Sequence, residues 1–189
     1  LLMGTLALEG RDKLTLLLSP QIQGFADWLE QLIAESLGKE GRGIVPVMHE
    51  PPAEPNVYGP DRYFVFLRLK WDASLDSRVK SLEAAGFPVI ILELEDLYEL
   101  GGQFFLWQAA TAVAGSILSV NPFDQPDVES SKALTREVIR EFTKTGRLPE
   151  ESPSRIDDGI SLFGDAHGET LGDALRAFVD STEPGGYIA

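Results

Sequence analysis

The chain has 189 residues, 43% hydrophobic and 24% charged, which is enough for one sizeable domain with a true core. Its net charge of -14 repels nucleic acid and anionic membrane surfaces, so neither is an expected partner. With no cysteine, disulfides and thiolate zinc sites are excluded, and two histidines, His49 and His167, are too few for an imidazole metal site.

Leu1 to Leu8 is apolar but lacks a basic flank and runs into Glu9, so it reads as a helix tail rather than a secretion signal. Lys13 to Leu18 is a short apolar run ended by Ser19-Pro20, a buried strand followed by a helix that Ser19 is expected to cap. Along that helix Ile22, Phe25, Ala26, Leu29, Leu32 and Ile33 recur at helical spacing, and Gly38 stops it. Gly43 to Met48 is a second strand, in which Pro46 argues for a sheet edge or a bulge. Glu50 to Pro60 is a proline-rich surface loop.

Tyr63 to Leu69 and Pro88 to Leu94 are further strands, separated by a helix over about Ser74 to Ala85. Near-continuous apolar strands alternating with helices predict a parallel sheet covered on both faces. A long helix begins near Gly101 or Gly102. The apolar stretch Ala109 to Val120 is broken by Thr111, Gly115, Ser116 and Ser119 and is too short to span a bilayer. Val128 to Thr145 is another helix, with Val128, Leu134, Val138, Ile139 and Phe142 expected inward. Arg147 to Asp158 reads as a polar linker, Gly159 to Phe163 as a short strand and Thr170 to Val179 as a final helix. At Pro184 to Ala189 a new apolar strand is expected to begin. Trp28, Trp71 and Trp107 are expected in the core or half-buried.

Two stretches concentrate chemistry. In the first, Glu35, Ser36, Gly38, Lys39 and Arg42 crowd a helix end and a glycine-rich loop. A carboxylate at the negative end of a helix dipole is disfavoured as an anion, which suits a proton acceptor. The plainer reading is a solvated glutamate beside cations that complement the helix end. In the second, Asn121 to Lys132 runs from one helix end to the next helix start. There Asp124 can cap, Gln125 adds a donor, free N–H groups can meet an anion, and Lys132 shares the face of Gln125. The plainer reading here is a capped helix with a surface lysine. Gly101-Gly102-Gln103 is a weak anion-binding signal and does not match a dinucleotide fingerprint. His49 is expected to be a structural hydrogen-bonder and His167 a loop residue.

Together these stretches resemble phosphoglucose isomerase. Ala34-Glu35-Ser36-Leu37-Gly38-Lys39 is similar to the family's Met-Glu-Ser-Asn-Gly-Lys motif. Asn121-Pro-Phe123-Asp124-Gln125-Pro-Asp-Val128-Glu129-Ser-Ser-Lys132 matches its Asn-x-Phe-Asp-Gln-x-x-Val-Glu-x-x-Lys signature in order and spacing. The Glu-Gly-Arg-Gly-Ile-Val-Pro-Val and Leu-Gly-Gly-Gln-Phe-Phe segments look like the isomerase half of bifunctional transaldolase/phosphoglucose isomerase proteins. One departure is plain: the family has a histidine after Gly-Gln, whereas here Gly102-Gln103 is followed by Phe104.

The resemblance implies an α/β sugar-isomerase (SIS) domain with a five-stranded parallel sheet flanked by helices, a flavodoxin-like three-layer sandwich. It divides the chain into 1–12, the tail of a preceding domain or helix, 13–146, the SIS domain, and 147–189, a C-terminal extension partly packed on it. It implies interconversion of glucose 6-phosphate and fructose 6-phosphate through a cis-enediol, in a cytoplasmic setting, with no metal or redox cofactor. Glu35 and Lys132 would be catalytic. Ser36, Gly38, Lys39 and Gln125 would bind substrate. Since ligands in open α/β sheets gather at the carboxyl ends of strands, Glu35 and Lys132 are expected together at such an edge. The expected partners are the sugar phosphate, a first SIS domain of the same parent protein, and a second copy if Leu1 to Leu8 enters a dimer contact. This chain alone is expected to isomerise poorly. Two alternatives stay open: a sugar-phosphate-binding SIS domain without catalysis, and a scaffold domain attached to a transaldolase.

Overall fold

A computed structural model describes residues 1–51, 53–148, 151–165, 167–183 and 186. The expected strand at the C-terminal end lies outside them. The chain divides into two compact units, Leu1–Gln125 and Pro126–Ala189.

The first unit is an α/β sandwich. Its sheet contains β1 (Lys13–Leu18), β2 (Val45–Val47), β3 (Arg62–Leu69) and β4 (Val89–Leu94). They lie in the order β2-β1-β3-β4, all parallel. Five strands were expected and four are found. The run around Ile160 does not join this sheet, because Asp158 and Gly159 both take positive φ, 44° and 79°. That is the geometry of a two-residue hairpin turn, which folds β6 (Ile160–Leu162) back onto β5 (Arg155–Asp157) as an antiparallel pair. Pro46 sits in β2, an edge strand as its missing N–H requires.

The apolar runs of β1 and β3 are buried because helices cover both of their faces, whereas the edge strand β4 leaves Ile91 48% exposed. Leu14, Leu16 and Leu18 of β1 and Tyr63, Val65, Leu67 and Leu69 of β3 point to one face. There they meet helices α1 (Leu2–Leu8), α2 (Phe25–Leu37) and α4 (Leu100–Leu118). Leu17, Phe64 and Phe66 point to the other face and meet Val79 and Leu82 of α3 (Asp76–Ala84). The crossovers from β1 and from β3 depart in opposite directions, so their helices cover opposite faces of the sheet.

Within α1, Met3 and Leu6 are buried while Leu1, Leu2 and Leu8 are exposed. Helix α2 buries Phe25, Ala26, Leu29, Ile33 and Leu37, the face its periodicity predicts. It starts later than Pro20 because Ser19 does not cap it. Residues Pro20–Ile22 form a separate 3-10 turn, and the buried Ser19 hydroxyl accepts the Leu69 N–H at 3.0 Å, tying β1 to the end of β3. Trp107 is buried and Trp28 half-buried, but Trp71 is 60% exposed, contrary to expectation. It lies in the turn just after β3, where the chain has left the covered part of the sheet. No helix of the described residues is long and apolar enough to cross a membrane.

The second unit holds α5 (Pro126–Thr145), the β5–β6 hairpin and α6 (Leu171–Asp180). Thr170 caps α6 by accepting the Asp173 N–H, and Asp173 accepts the Thr170 N–H in return. Of the expected inward face of α5, Val128 is half-buried and Leu134, Val138, Ile139 and Phe142 are exposed. His167 lies in an exposed loop.

Candidate active site

Helix α2 runs against the direction of β1, and the loop after it feeds β2 where Val45 pairs with Lys13. Glu35, in the last turn of α2, therefore lies toward the amino ends of the strands. This corrects the expectation of a carboxyl-end site. The physical reason is topological: a crossover helix between parallel strands begins near their carboxyl ends and finishes near their amino ends.

The Glu35 carboxylate is exposed and doubly engaged. Gln31, one turn earlier, donates from Nε2 to Oε1 at 3.1 Å. Gln125, ninety residues away in sequence, donates from Nε2 to Oε2 at 3.1 Å. Gln31 escaped the sequence reading, although its i,i+4 spacing to Glu35 places both on one helix face. Ser36 is half-buried beside Glu35.

The glycine-rich loop closes tightly on itself. Gly38 donates its N–H to the Ala34 carbonyl at 3.0 Å, and Lys39 and Arg42 exchange backbone hydrogen bonds at 3.0 and 2.9 Å. Between them Glu40 and Gly41 take positive φ, 56° and 71°. Gly43 presses back on Gly38: a Cβ added at Gly43 would lie 2.9 Å from the Gly38 Cα. These loop amides are thus occupied by protein carbonyls.

The two cations of the loop are occupied as well. Arg42 donates to the Leu118 carbonyl at 2.9 Å, completing the end of α4. Lys39 is 6% exposed, and its ammonium donates to the Asn121 carbonyl at 2.6 Å, to the Asp124 carbonyl, and to Asp124 Oδ1 at 2.8 Å. The other Asp124 oxygen accepts from Asn121 Nδ2 at 3.0 Å, and Asn121 Oδ1 accepts the Phe123 N–H at 3.1 Å. Asp124 is thus engaged by Lys39 and Asn121. The Lys39 hydrogen bond, set against slight desolvation, holds its carboxyl below the usual range.

The first unit therefore brings Glu35, Lys39 and Gln125 together. Lys132 stands on α5 in the second unit, exposed and paired with Glu129 at 2.9 Å. Phe104, at the place where the resembled family has a histidine, packs edge-on against Phe25 and Trp28 at centroid distances of 5.0 and 4.5 Å. It joins α2 to α4 and has no proton to transfer. His49 hydrogen-bonds Asp27 at 2.6 Å, the structural role expected of it.

No protein-family model matches the chain. It is similar to a probable glucose-6-phosphate isomerase of Haloarcula marismortui, 30% identical over 179 residues, covering 75% of this chain and 41% of that protein. It is similar to the probable glucose-6-phosphate isomerase of Halobacterium salinarum, 28% identical over 64% of this chain and 36% of that protein. A glucose-6-phosphate isomerase of Heliobacterium modesticaldum is 29% identical over 60% of this chain and 34% of that protein. The chain thus spans well under half the length of these relatives. The likenesses support a phosphoglucose-isomerase-like family for this chain.

Proposed function

We propose that the chain supplies the proton-transfer part of a glucose-6-phosphate isomerase active site, on a sugar-isomerase domain working in the cytoplasm. One observation carries the reading. An exposed carboxylate at the end of α2 is held through both oxygens by side-chain amides, one of them from a segment ninety residues away. A carboxylate so oriented can serve as one base that both removes and returns a proton.

In the forward direction Glu35 takes the proton from C2 of the open-chain aldose. The electron pair of the broken C–H bond forms the C1=C2 double bond, and the carbonyl oxygen at C1 gains a proton, giving the cis-enediol. The hydroxyl at C2 then loses its proton as C2=O forms, and Glu35 returns its own proton to C1. Oxidation at C2 balances reduction at C1 within the substrate, so the stoichiometry calls for no external oxidant or reductant.

Gln125 would hold the substrate beside Glu35, and Ser36 and Gly38 would flank it. Lys132 would offset negative charge on the enediol oxygens. A first sugar-isomerase domain of the same protein would supply the remaining phosphate contacts.

The test is Glu35→Gln in the full-length protein, which keeps size and shape and one of the two acceptor oxygens but cannot accept the proton. We expect kcat to fall roughly 10²–10⁴-fold with little change in KM, and solvent exchange of the substrate C2 proton to fall in parallel. Wild-type turnover by this variant would reduce Glu35 to an ordinary helix-end residue and end the isomerase reading.

A further inference from the structure

We infer that Lys39 is a positioning residue: its ammonium clasps the Asn121–Asp124 turn and so sets Gln125 against Glu35, an inference that rests on the isomerase reading. The loop's other cation supplies the contrast. Arg42 is solvent-exposed and completes a helix end through one backbone carbonyl. Lys39 is almost wholly buried and spends all three protons of its ammonium on one short turn. An ammonium so saturated has no donor left for a phosphate. Leaving it buried with any of these oxygens removed would cost the desolvation of a charge.

The consequence falls on the next residue. Gln125 follows Asp124 directly, and its side chain reaches Glu35 Oε2. The Asn121–Asp124 turn carries internal bonds of its own, from Asn121 Nδ2 to Asp124 and from the Phe123 N–H to Asn121. Those bonds fix the shape of the turn but not its place against the end of α2. Pro122 packs on Gly115 of α4, and the polar tie that sets the rest of that place is Lys39, which sits at the start of the loop that follows Glu35. One lysine therefore couples the end of α2 to the segment that supplies the second amide. The glycines serve the same end. Gly38 and Gly43 approach so closely that a side chain at Gly43 would push the loop outward and carry Lys39 with it.

Displacing a reacting group by about 1 Å costs up to about 10²-fold in rate. We therefore expect Lys39→Met, which keeps the apolar stem and loses the ammonium, to lower kcat in the full-length protein about 10–10²-fold. KM for the sugar phosphate should stay within about 3-fold, because the ammonium does not touch the phosphate. The decisive readout is a double-mutant cycle with Gln125→Ala. If Lys39 acts through Gln125, the double variant is no slower than the slower single variant; independent effects would multiply. Exchange of the Phe123 N–H, the amide of the Asn121–Gln125 segment that a side chain holds, should also quicken in Lys39→Met while the strands of the sheet stay protected.

Multiplying effects, a KM raised tenfold or more at unchanged kcat, or unaltered exchange in that segment would each overturn the inference. The KM result would make Lys39 a phosphate ligand instead. Should Lys39→Met fail to fold, Asp124→Asn tests the same clasp with the ammonium retained, and unchanged exchange and kcat there would overturn it too. Failure is separable from failure of the isomerase reading. A fully active Glu35→Gln sinks that reading, while exchange in Asn121 to Gln125 still reports whether the clasp exists.

Discussion

Helices α2 and α5 carry the same kind of apolar stripe and meet different fates. In α2 the stripe is buried: Leu29, Ile33 and Leu37 are 0% exposed. In α5 it is open: Leu134 is 63% exposed and Ile139 58%. Periodicity states which side of a helix is apolar, but only a neighbouring surface decides whether that side leaves water. For α2 the neighbour is the sheet face built by β1 and β3 together with α4, whose residues are contiguous with it in one core. Every buried residue of the described chain lies at or before Val120, in the first unit. The second unit rests on local devices instead, a hairpin turn at Asp158-Gly159 and a capping box at Thr170 and Asp173.

Emptying both stripes equally should separate the two helices most. Ile33→Ala should destabilise the first unit by roughly 2–5 kcal/mol, the range for cavity-forming truncations. Ile139→Ala should shift stability by no more than about 0.5 kcal/mol, as for exposed positions. Urea unfolding of the two variants measures both. Equal losses would mean that the α5 stripe is covered after all.

A smaller effect tests whether burial also governs single polar atoms in the first unit. Ser19→Ala leaves the Leu69 N–H without its acceptor at a fully buried site, and should cost about 1–3 kcal/mol. A helix-capping serine would have shown the change as fraying of α2. Here the loss of amide protection should appear at Leu69, at the end of β3.

The smallest effect is electrostatic, at the Lys13–Asp61 pair, which are 2.7 Å apart at the amino end of the sheet. The Asp61 carboxyl is held below its ordinary value of 3.8, chiefly by the hydrogen bond from Lys13, against burial. Its contribution is full above pH 3.8 and is lost as pH falls through the lower, folded value. For Lys13 burial pulls downward, but hydrogen bonds to Asp61 and Asp12 outweigh it and raise the group above 10.5. Its contribution is full below pH 10.5 and fades as pH rises through the higher, folded value. Lys13→Met should therefore lower stability between these limits by less than about 1 kcal/mol and flatten the acid limb. Melting curves across pH check this, and an unchanged acid limb would show that Asp61 draws nothing from the pair.

Much of this protein was legible in its residues. Continuous apolar runs at Lys13 to Leu18 and Tyr63 to Leu69 dictate strands buried on both faces. Pro46 dictates an edge, because it has no N–H to give a second neighbour. Alternating strands and helices dictate a parallel sheet, since parallel strands need crossovers. Asp158-Gly159 is a hairpin dipeptide, although its flanks read as a polar linker and a lone strand. Gln31 was legible in the same way, one turn before Glu35.

What tertiary structure alone decided concerns where polar groups spend their hydrogen bonds. Ser19 stands where a helix cap is expected, yet its hydroxyl serves Leu69, fifty residues away. Trp71 is apolar enough for a core, but it falls where the sheet has run out of cover. Lys39 reads in sequence as a cation at a helix end, and the fold lays three oxygens of Asn121 and Asp124 against it. Local sequence sets backbone shape and apolar faces because those depend on near neighbours. The partner of a charge or a hydroxyl depends on which distant backbone arrives beside it, and only the packed chain settles that.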